Sequence, residues 1–174
     1  VKMIHNGIEY GIMQLISESY HILKNGLNKE NIEIHNTFKK WNDGMLNSYL
    51  VEITRDVFKV KDEKSDNYLI DLILDKAKQK GTGKWTSQSA MDFGVSIPTI
   101  DSSVSMRIIS SFKETRVKAQ KLYSKKIISS TSSIKSDDIE KALIFSFIIT
   151  FAQGLSQLKV VSKEKLYNLN FEKI

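Results

Sequence analysis

The sequence predicts an all-α protein built from several helices. Apolar residues recur mostly three and four positions apart, strand-like alternation is scarce, and Pro98 is the only proline among 174 residues. Apolar residues make up 41% of the chain and charged residues 26%, the ordinary balance of a globular protein. We therefore expect a multi-helix segment of one domain's length, long enough to bury a core of its own.

Capping residues, glycines and charged connections define where the predicted helices begin and end. Gly26 suits the C-terminus of the first helix, residues 42–44 form a turn, and Asp137 with Glu140 resembles a capping box that opens the last helix. The predicted helices cover about 2–25, 28–41, 46–58, 68–77, 87–93, 97–123 and a last one from 137. Between them lie a charged connection at 59–67, a glycine-bearing loop at 79–84 and a Ser/Lys-rich loop at 124–135 that we expect to be mobile.

Composition excludes several classes of site. There are no cysteines, which rules out disulfides, zinc–thiolate sites and thiol nucleophiles. His21 and His35 have no partner at ligand spacing, so no metal site is expected. The most apolar stretch, 142–155, is broken by polar residues and is predicted to be a buried helix, with no stretch reaching the length of a membrane span. No signal-peptide pattern opens the chain.

The net charge of +6 favours anionic partners such as nucleic acid or phosphorylated small molecules. The simpler interpretation is that lysines keep a small domain in solution. Nucleic acid is not expected as a partner, because the lysines of 118–126 resemble a solvated face. A single aromatic residue, Tyr123, lies among them, and they belong to no recognised binding module.

The first eleven residues hold the densest set of reactive groups. On a helix, residues three and four apart share a face, which gathers Lys2, His5, Asn6 and Glu9 into one polar stripe. A lysine beside a glutamate is what proton transfer needs, one group to take a proton and one to give it. Two glycines interrupt the same helix, each at a cost of about 1 kcal/mol relative to alanine. Such a cost indicates close packing against the backbone by a neighbouring helix, or by a ligand or second domain.

Two further candidates are the loop at 79–86 and an arginine in a later helix. Gly81 and Gly83 let backbone amides approach an anion, with Lys80 and Thr82 beside them. The loop is not a Walker A motif, and a Gly-x-Gly pair between helices is most often only a turn. Arg107 lies in an otherwise apolar and small-residue helix and is compatible with a structural role, snorkelling or ion-paired, or with a phosphate clamp. From spacing alone the structural role is favoured.

Taken together, these stretches resemble the 6-phosphogluconate dehydrogenase family. The matching text is Val1-Lys2-Met3-Ile4-His5-Asn6-Gly7-Ile8-Glu9-Tyr10-Gly11, then Gln79-Lys80-Gly81-Thr82-Gly83-Lys84-Trp85-Thr86, then Arg107 with Ser110-Ser111-Phe112-Lys113-Glu114. Weaker similarity continues through Trp41-Asn42 and Ala152-Gln153-Gly154 to Leu169-Asn170-Phe171, so that it covers nearly the whole chain. The first eleven residues combined with the Lys-Gly-Thr-Gly-Lys-Trp loop are specific to this family.

The resemblance implies NADP-dependent oxidative decarboxylation of 6-phosphogluconate to ribulose 5-phosphate and CO2, in the cytoplasmic pentose phosphate pathway, by a homodimer. It implies that Lys2 is the general base at the C3 hydroxyl and that Glu9 is the general acid that protonates C1 of the enediol. A lysine acts as a base only in its neutral form. His5 and Asn6 correspond to residues that hold and polarise the substrate, and four residues surround its phosphate: Tyr10, Lys80, Thr82 and Arg107.

By the same resemblance, residues 1–174 are the first half of the family's large helical domain, the part that carries catalysis and dimerisation. The N-terminal dinucleotide-binding domain and the C-terminal tail, which reaches the neighbouring subunit's substrate site, are absent from this sequence. We therefore expect both ends to be cuts within a longer polypeptide. We also expect NADP to be bound mainly by the missing domain, an isolated chain without activity, and exposed apolar surface. The serine-rich stretch 125–136 departs from the family pattern.

Two alternatives to the enzyme remain open at this point. A catalytically inactive helical paralogue would keep the fold and act as an interaction scaffold, although the intact set of reactive residues in the first helix argues against it. A basic helical nucleic-acid binder rests on net charge alone. Salt-sensitive binding to generic DNA would support that second alternative.

Overall fold

The computed structural model describes residues 1–123 and 133–174, and the described residues confirm the all-α prediction. The helices are α1 (Lys2–His21, continued by a π-turn at Ile22–Gly26), α2 (Asn31–Asn42), α3 (Tyr49–Val57), α4 (Leu69–Leu72), α5 (Thr82–Asp92), α6 (Pro98–Ser111), α7 (Lys113–Leu122) and α8 (Ser136–Glu164), followed by a 3-10 turn at Phe171–Lys173. Within these residues the β-type pairing is one isolated bridge between Lys61 and Tyr68. The predicted Ser/Lys-rich loop lies mostly outside the described residues.

The predicted loop at 79–84 is wrong in its second half, because α5 begins five residues earlier than the sequence suggested. Gly81 has φ +106°, in the left-handed region that glycine tolerates best, and is the N-cap of α5. Thr82, Gly83 and Lys84 are therefore the first turn of a helix. Thr82 is thereby placed where the unpaired amides of a helix N-terminus lie.

Two other predicted helices differ from the structure. The helix predicted over 97–123 breaks at Phe112, where the hydroxyls of Ser110 and Ser111 donate to carbonyls three residues back, at 2.7 Å each; such bonds compete with the helix backbone. The helix predicted over 68–77 ends at Leu72, because Ile73 is extended. Beyond it, the amide of Ala77 donates to the hydroxyl of Ser110 instead of to a helix carbonyl.

The capping box predicted at the start of α8 is also wrong. The helix begins at Ser136, and the amide of Lys135 donates to Asp138 Oδ2 at 2.9 Å. Asp137 accepts instead from Lys40 Nζ at 2.8 Å, and Glu140 lies 3.7 Å from the same ammonium group. The acidic residues do lie at the start of the helix, but Asp137 forms a long-range ion pair with Lys40 and Asp138 accepts the backbone bond in its place.

The chain forms two compact units, of which the first comprises Val1–Gln14, Lys76–Glu114 and Ser146–Ile174. Its helices approach one another through glycines. A Cβ atom at Gly7 would lie 2.6 Å from Thr86 Cγ2, and one at Gly11 would lie 2.6 Å from Thr150 Cγ2. A neighbouring helix is therefore what both glycines of α1 accommodate. The buried apolar residues of this unit are Ile4, Ile8, Tyr10, Ile12, Ala90, Ile97, Ile100, Val104 and Leu158.

The second unit comprises Leu15–Asp75 and Thr115–Phe145 and is organised around aromatic rings. Phe38 lies 4.9 Å from Trp41 and 5.6 Å from Phe58, measured between ring centroids, and Tyr20 lies 5.0 Å from Phe58. Burial, together with the charge of Asp71, raises the pKa of the Tyr20 phenol. The rings pack between α2, α3 and the end of α1, so this unit has an ordinary hydrophobic core.

The prediction that no stretch reaches the length of a membrane span is wrong for α8. By length and composition, α8 is the one helix in the described part of the chain that could cross a membrane. Its apolar side is exposed in the first unit at Ile148, Phe151 and Leu155, so the expected buried helix is buried only in part. Its polar side is not free for lipid, because Gln153 exchanges hydrogen bonds of 3.0 Å with the hydroxyl and amide of Thr99 in α6.

Candidate active site

All eight residues predicted to form the site lie in the first unit, on α1, at the start of α5 and on α6. On α1 the polar stripe is present as predicted. His5 Nδ1 lies 3.5 Å from Asn6 Oδ1 and 3.7 Å from Glu9 Oε2, one helical turn away. Lys2 and His5 are exposed, whereas Asn6 and Glu9 are partly buried. The imidazole thus links the amide to the carboxylate along one face of the helix.

Tyr10 and Arg107 form the second part of the site. The Arg107 guanidinium carbon lies 4.0 Å from the centroid of the Tyr10 ring, a stacked cation–π contact. Its Nη1 donates to the carbonyl of Lys78 at 3.3 Å, and its Nη2 lies 3.9 Å from the sulfur of Met13. No carboxylate pairs with Arg107 in these contacts, and the side chain is only half buried. The arrangement orients a positive charge that is available to an anion, which favours the phosphate clamp over a structural ion pair.

The start of α5 forms the third part. Lys80 precedes the left-handed Gly81, and Thr82 is the first helical residue, with Gly83 and Lys84 completing the first turn. Helix N-termini attract anions through free amides and the helix dipole. A Cβ at Gly83 would lie 2.5 Å from Tyr10 Cε2, so this glycine lets the Tyr10 ring lie against the first turn of α5. Tyr10 therefore touches both Arg107 and the helix that carries Thr82.

A buried threonine that the sequence did not single out joins these parts. Thr86, with no exposed surface, has its hydroxyl 2.9 Å from the carbonyl of Met3 in α1 and 2.9 Å from the carbonyl of Thr82 in α5. Its own carbonyl accepts from Gln157 Nε2 of α8 at 2.9 Å. A glycine within a helix, Gly7, indicated that another part of the protein packs closely against α1. Nothing in the sequence identified Thr86 as the residue that does so.

A cavity of about 620 Å³ opens beside the proposed base. Lys2 and His5 form its polar side, and its remaining walls are Val1, Ile8, Phe151, Leu155, Leu158, Phe171 and Ile174. The residues predicted around the phosphate do not line it. The structure therefore brings the eight residues into one unit without enclosing them around a single cavity. The apolar walls on α8 and at 171–174 were not predicted as part of the site.

Two common cofactor frameworks, a metal cluster and a dinucleotide-binding unit, are not found among the described residues. No group of three or more potential ligands among histidine, aspartate and glutamate is close enough to hold a metal ion in this part of the chain. A dinucleotide usually lies on a strand–glycine turn–helix unit, and the described segments contain no strand to build one. Among the described residues, the cations Lys2, Lys80 and Arg107 suit an anionic substrate.

Comparison with known proteins identifies the family of this chain. The family model described as the C-terminal domain of 6-phosphogluconate dehydrogenase matches residues 1–174. The chain is 53% identical to the NADP(+)-dependent, decarboxylating 6-phosphogluconate dehydrogenase of Bacillus subtilis, covering 100% of this chain and 38% of that protein. It is 51% identical to the decarboxylating 6-phosphogluconate dehydrogenase of Lactococcus lactis subsp. lactis, covering 98% of this chain and 37% of the relative.

Among solved structures, that of 6-phosphogluconate dehydrogenase from Plasmodium falciparum matches with a TM-score of 0.92 and 47% identity, over 97% of this chain and 37% of the other. That work describes the enzyme in its apo form, with its cofactor NADP+ and with its substrate 6-phosphogluconate. The chain thus spans less than two fifths of the length of these relatives. With a family model matched along its whole length, the chain belongs to the 6-phosphogluconate dehydrogenase C-terminal domain family.

Proposed function

We propose that this chain supplies the substrate-binding and proton-transfer residues of a decarboxylating 6-phosphogluconate dehydrogenase. The observation that carries the proposal is the gathering of all eight predicted residues in one compact unit. They come from three separate stretches of sequence, on α1, α5 and α6. Identity of about half the residues to enzymes with this activity supports the proposal over an inactive scaffold.

In the proposed reaction, Lys2 takes the proton of the C3 hydroxyl while C3 is oxidised. Decarboxylation then leaves an enediol, and Glu9 protonates its C1 to give ribulose 5-phosphate. His5 and Asn6 hold and polarise the substrate between these groups, consistent with the Asn6–His5–Glu9 succession on one face of α1. A positioned acid and a positioned base each contribute about 10²–10⁴-fold to the rate of such a step.

The phosphate of the substrate is proposed to lie between the start of α5 and Arg107. Lys80 and Arg107 provide charge, Thr82 provides a hydroxyl and an amide, and Tyr10 holds the guanidinium in place by stacking. Binding at this remote group positions the reacting carbons and so contributes to the rate as well as to affinity. Binding of the phosphate would also give a function to two of the positive charges of the chain, those of Lys80 and Arg107.

A bound NADP would supply the acceptor for the hydride that leaves C3, and we assign its binding mainly to the parts of the relatives that this chain does not match. We further propose a cytoplasmic homodimer. Support for a partner surface comes from Ile148, Phe151 and Leu155, which are exposed at spacings of three and four on α8; the last two also form part of the cavity wall. Exposed apolar patches often mark contact sites. The chain by itself is expected to be inactive, because its described residues lack a dinucleotide site.

The test is NADP reduction with 6-phosphogluconate by the longest natural polypeptide that contains this chain, here called the parent polypeptide. Lys2→Met should lower kcat by about 10²–10⁴-fold while leaving thermal stability near that of the parent, because Lys2 is exposed. The 174-residue chain assayed alone should produce no NADPH.

Lys159→Met is the matched control, since Lys159 is also exposed in the first unit but belongs to α8 and does not line the cavity beside Lys2. It should retain parental kcat. A parent polypeptide that folds and binds NADP yet does not oxidise 6-phosphogluconate would favour the scaffold alternative. Equal losses in the two lysine variants would refute the role of Lys2.

A further inference from the structure

Thr86 is the one side chain in the described contacts of the site whose hydroxyl lies within hydrogen-bond distance of backbone at both ends of it, so that its single proton is shared between two carbonyls. Its hydroxyl lies 2.9 Å from the carbonyl of Met3, next to the proposed base, and 2.9 Å from the carbonyl of Thr82, at the proposed phosphate end. The bond to Thr82 is the common contact of a threonine with the carbonyl four residues back. The bond to Met3 is long-range, because 83 positions separate the two residues.

The surroundings of Thr86 leave the first turn of α1 little freedom to shift. The Thr86 methyl group lies 2.6 Å from the position that a Cβ atom of Gly7 would occupy. The backbone of α1 at Gly7 therefore lies directly against α5. The carbonyl of Thr86 accepts from Gln157 Nε2, and both Thr86 and Gln157 are fully buried. Gln157 Oε1 has no hydrogen-bond partner among the described residues, so the amide is held there by the single bond to Thr86 and by packing.

From these contacts we propose that Thr86 is a positioning residue. It holds the first turn of α1, and with it Lys2, at a fixed separation from the start of α5, while Gln157 holds Thr86 in place. The inference rests on the proposed function, in which the phosphate binds at α5 and the proton transfer occurs at α1. Thr86 itself contacts neither substrate nor cofactor in this scheme.

The consequence is a coupling between phosphate binding and proton transfer. If the separation of the two ends is fixed, a substrate held by its phosphate has C3 at the correct distance from Lys2. If the separation relaxes, the phosphate still binds but C3 is misplaced, and a displacement of about 1 Å costs up to about 100-fold in rate. Loss of the Thr86 hydroxyl should therefore lower kcat much more than it raises KM.

The experiment compares Thr86→Val with Thr150→Val in the parent polypeptide. Both threonines are fully buried in the first unit and both pack against a glycine of α1, but the Thr150 hydroxyl donates only to Ser146 within its own helix. Thr86→Val should lower kcat for 6-phosphogluconate about tenfold or more, with KM within about threefold of the parent. Thr150→Val should leave both constants within about threefold.

Two further measurements separate positioning from general damage. The inhibition constant of inorganic phosphate, which probes the phosphate end alone, should stay within about threefold of the parental value in Thr86→Val. Thr86→Ser keeps the hydroxyl and should restore most of kcat. The melting temperature of Thr86→Val should fall by no more than about 5 °C.

The outcomes distinguish this inference from the function on which it rests. A parent without activity on 6-phosphogluconate overturns both. With an active parent, three results would overturn the inference alone. The two valine variants could lose kcat equally, or Thr86→Ser could be as slow as Thr86→Val. The third is a phosphate inhibition constant in Thr86→Val that weakens by the same factor as kcat falls.

Discussion

The two compact units of this chain are built in different ways, although both are helical. The first unit has helices in contact through glycines, with buried threonines and a buried glutamine between them. The second has a cluster of aromatic rings, with Trp41 and Phe38 fully buried at its centre. All the proposed site residues belong to the first. Close backbone contact fixes distances between helices, whereas a large aromatic core contributes mainly to stability. The contrast predicts that substitutions at the proposed site residues of the first unit change kinetics, and that substitutions in the aromatic cluster of the second unit change stability without changing kinetics.

The largest expected effect tests the second unit. Trp41→Ala should lower the free energy of unfolding by about 3–5 kcal/mol, because it removes a fully buried indole and leaves a cavity. Urea titration of the parent polypeptide measures this loss, and KM for 6-phosphogluconate should be unchanged in the folded fraction.

Trp41→Phe sharpens the same test. The indole Nε1 is buried without a hydrogen-bond partner among the described residues, so a phenyl ring removes an unsatisfied donor and keeps most of the packing. It should lose less than half as much stability as Trp41→Ala. A Trp41→Ala variant of parental stability would contradict the view that this unit is the stabilising core.

The next effect tests the glycine contacts of the first unit. Gly11→Ala places a Cβ 2.6 Å from Thr150 Cγ2 and should cost about 1–3 kcal/mol by overpacking. The double variant Gly11→Ala with Thr150→Ser removes the clashing methyl and should recover most of that loss in a double-mutant cycle. Gly44→Ala, where the nearest atom would be 3.7 Å away, is the control and should be close to neutral. Additive effects at Gly11 and Thr150 would disprove the contact.

A pair of arginines tests whether function and stability separate between the units. Arg107→Lys removes the planar group stacked on Tyr10 and should raise KM for 6-phosphogluconate about tenfold. Its free energy of unfolding should change by less than about 1 kcal/mol. Arg116→Lys, in the second unit, disrupts the bonds from its guanidinium to the carboxylate and carbonyl of Asp75 and should leave KM unchanged. Steady-state kinetics on both variants would reject the separation if KM rose equally in the two.

The smallest effect concerns pH and lies on the surface of the second unit. Hydrogen bonds from Arg55 and from Lys59 hold the pKa of the Asp56 carboxyl well below its usual range. Because the pKa is lower in the folded state, charged Asp56 stabilises the fold above about pH 4, and this contribution is lost as the pH falls through the folded-state pKa. Asp56→Asn should therefore melt slightly below the parent at pH 7, with a gap that narrows in acid and in high salt.

Glu63→Gln is the control for this measurement, since Glu63 is exposed in the same unit. It should melt as the parent does at every pH. A gap between Asp56→Asn and the parent that widens on acidification would contradict the assigned direction of the pKa.

The sequence by itself determined the helical class and the polar stripe of α1. Both follow from local periodicity and from residue types at fixed spacing, which need no knowledge of distant contacts. The eight proposed site residues came instead from the resemblance to a known family. The start of α5, the break at Phe112 and the end of α4 were not predictable in the same way. Each depends on a backbone conformation or a side-chain bond that competes with an otherwise acceptable helix.

Only the tertiary structure decided what the glycines of α1 contact, that Arg107 stacks on Tyr10, and that Thr86 joins α1 to α5. These pairs lie far apart in sequence, and many small or polar residues would have satisfied the same local pattern. Gly7 showed that something must approach closely, but the identity of the partner is set by how the helices pack. Close packing of this kind is a property of the whole unit, because each contact restricts the positions open to the others.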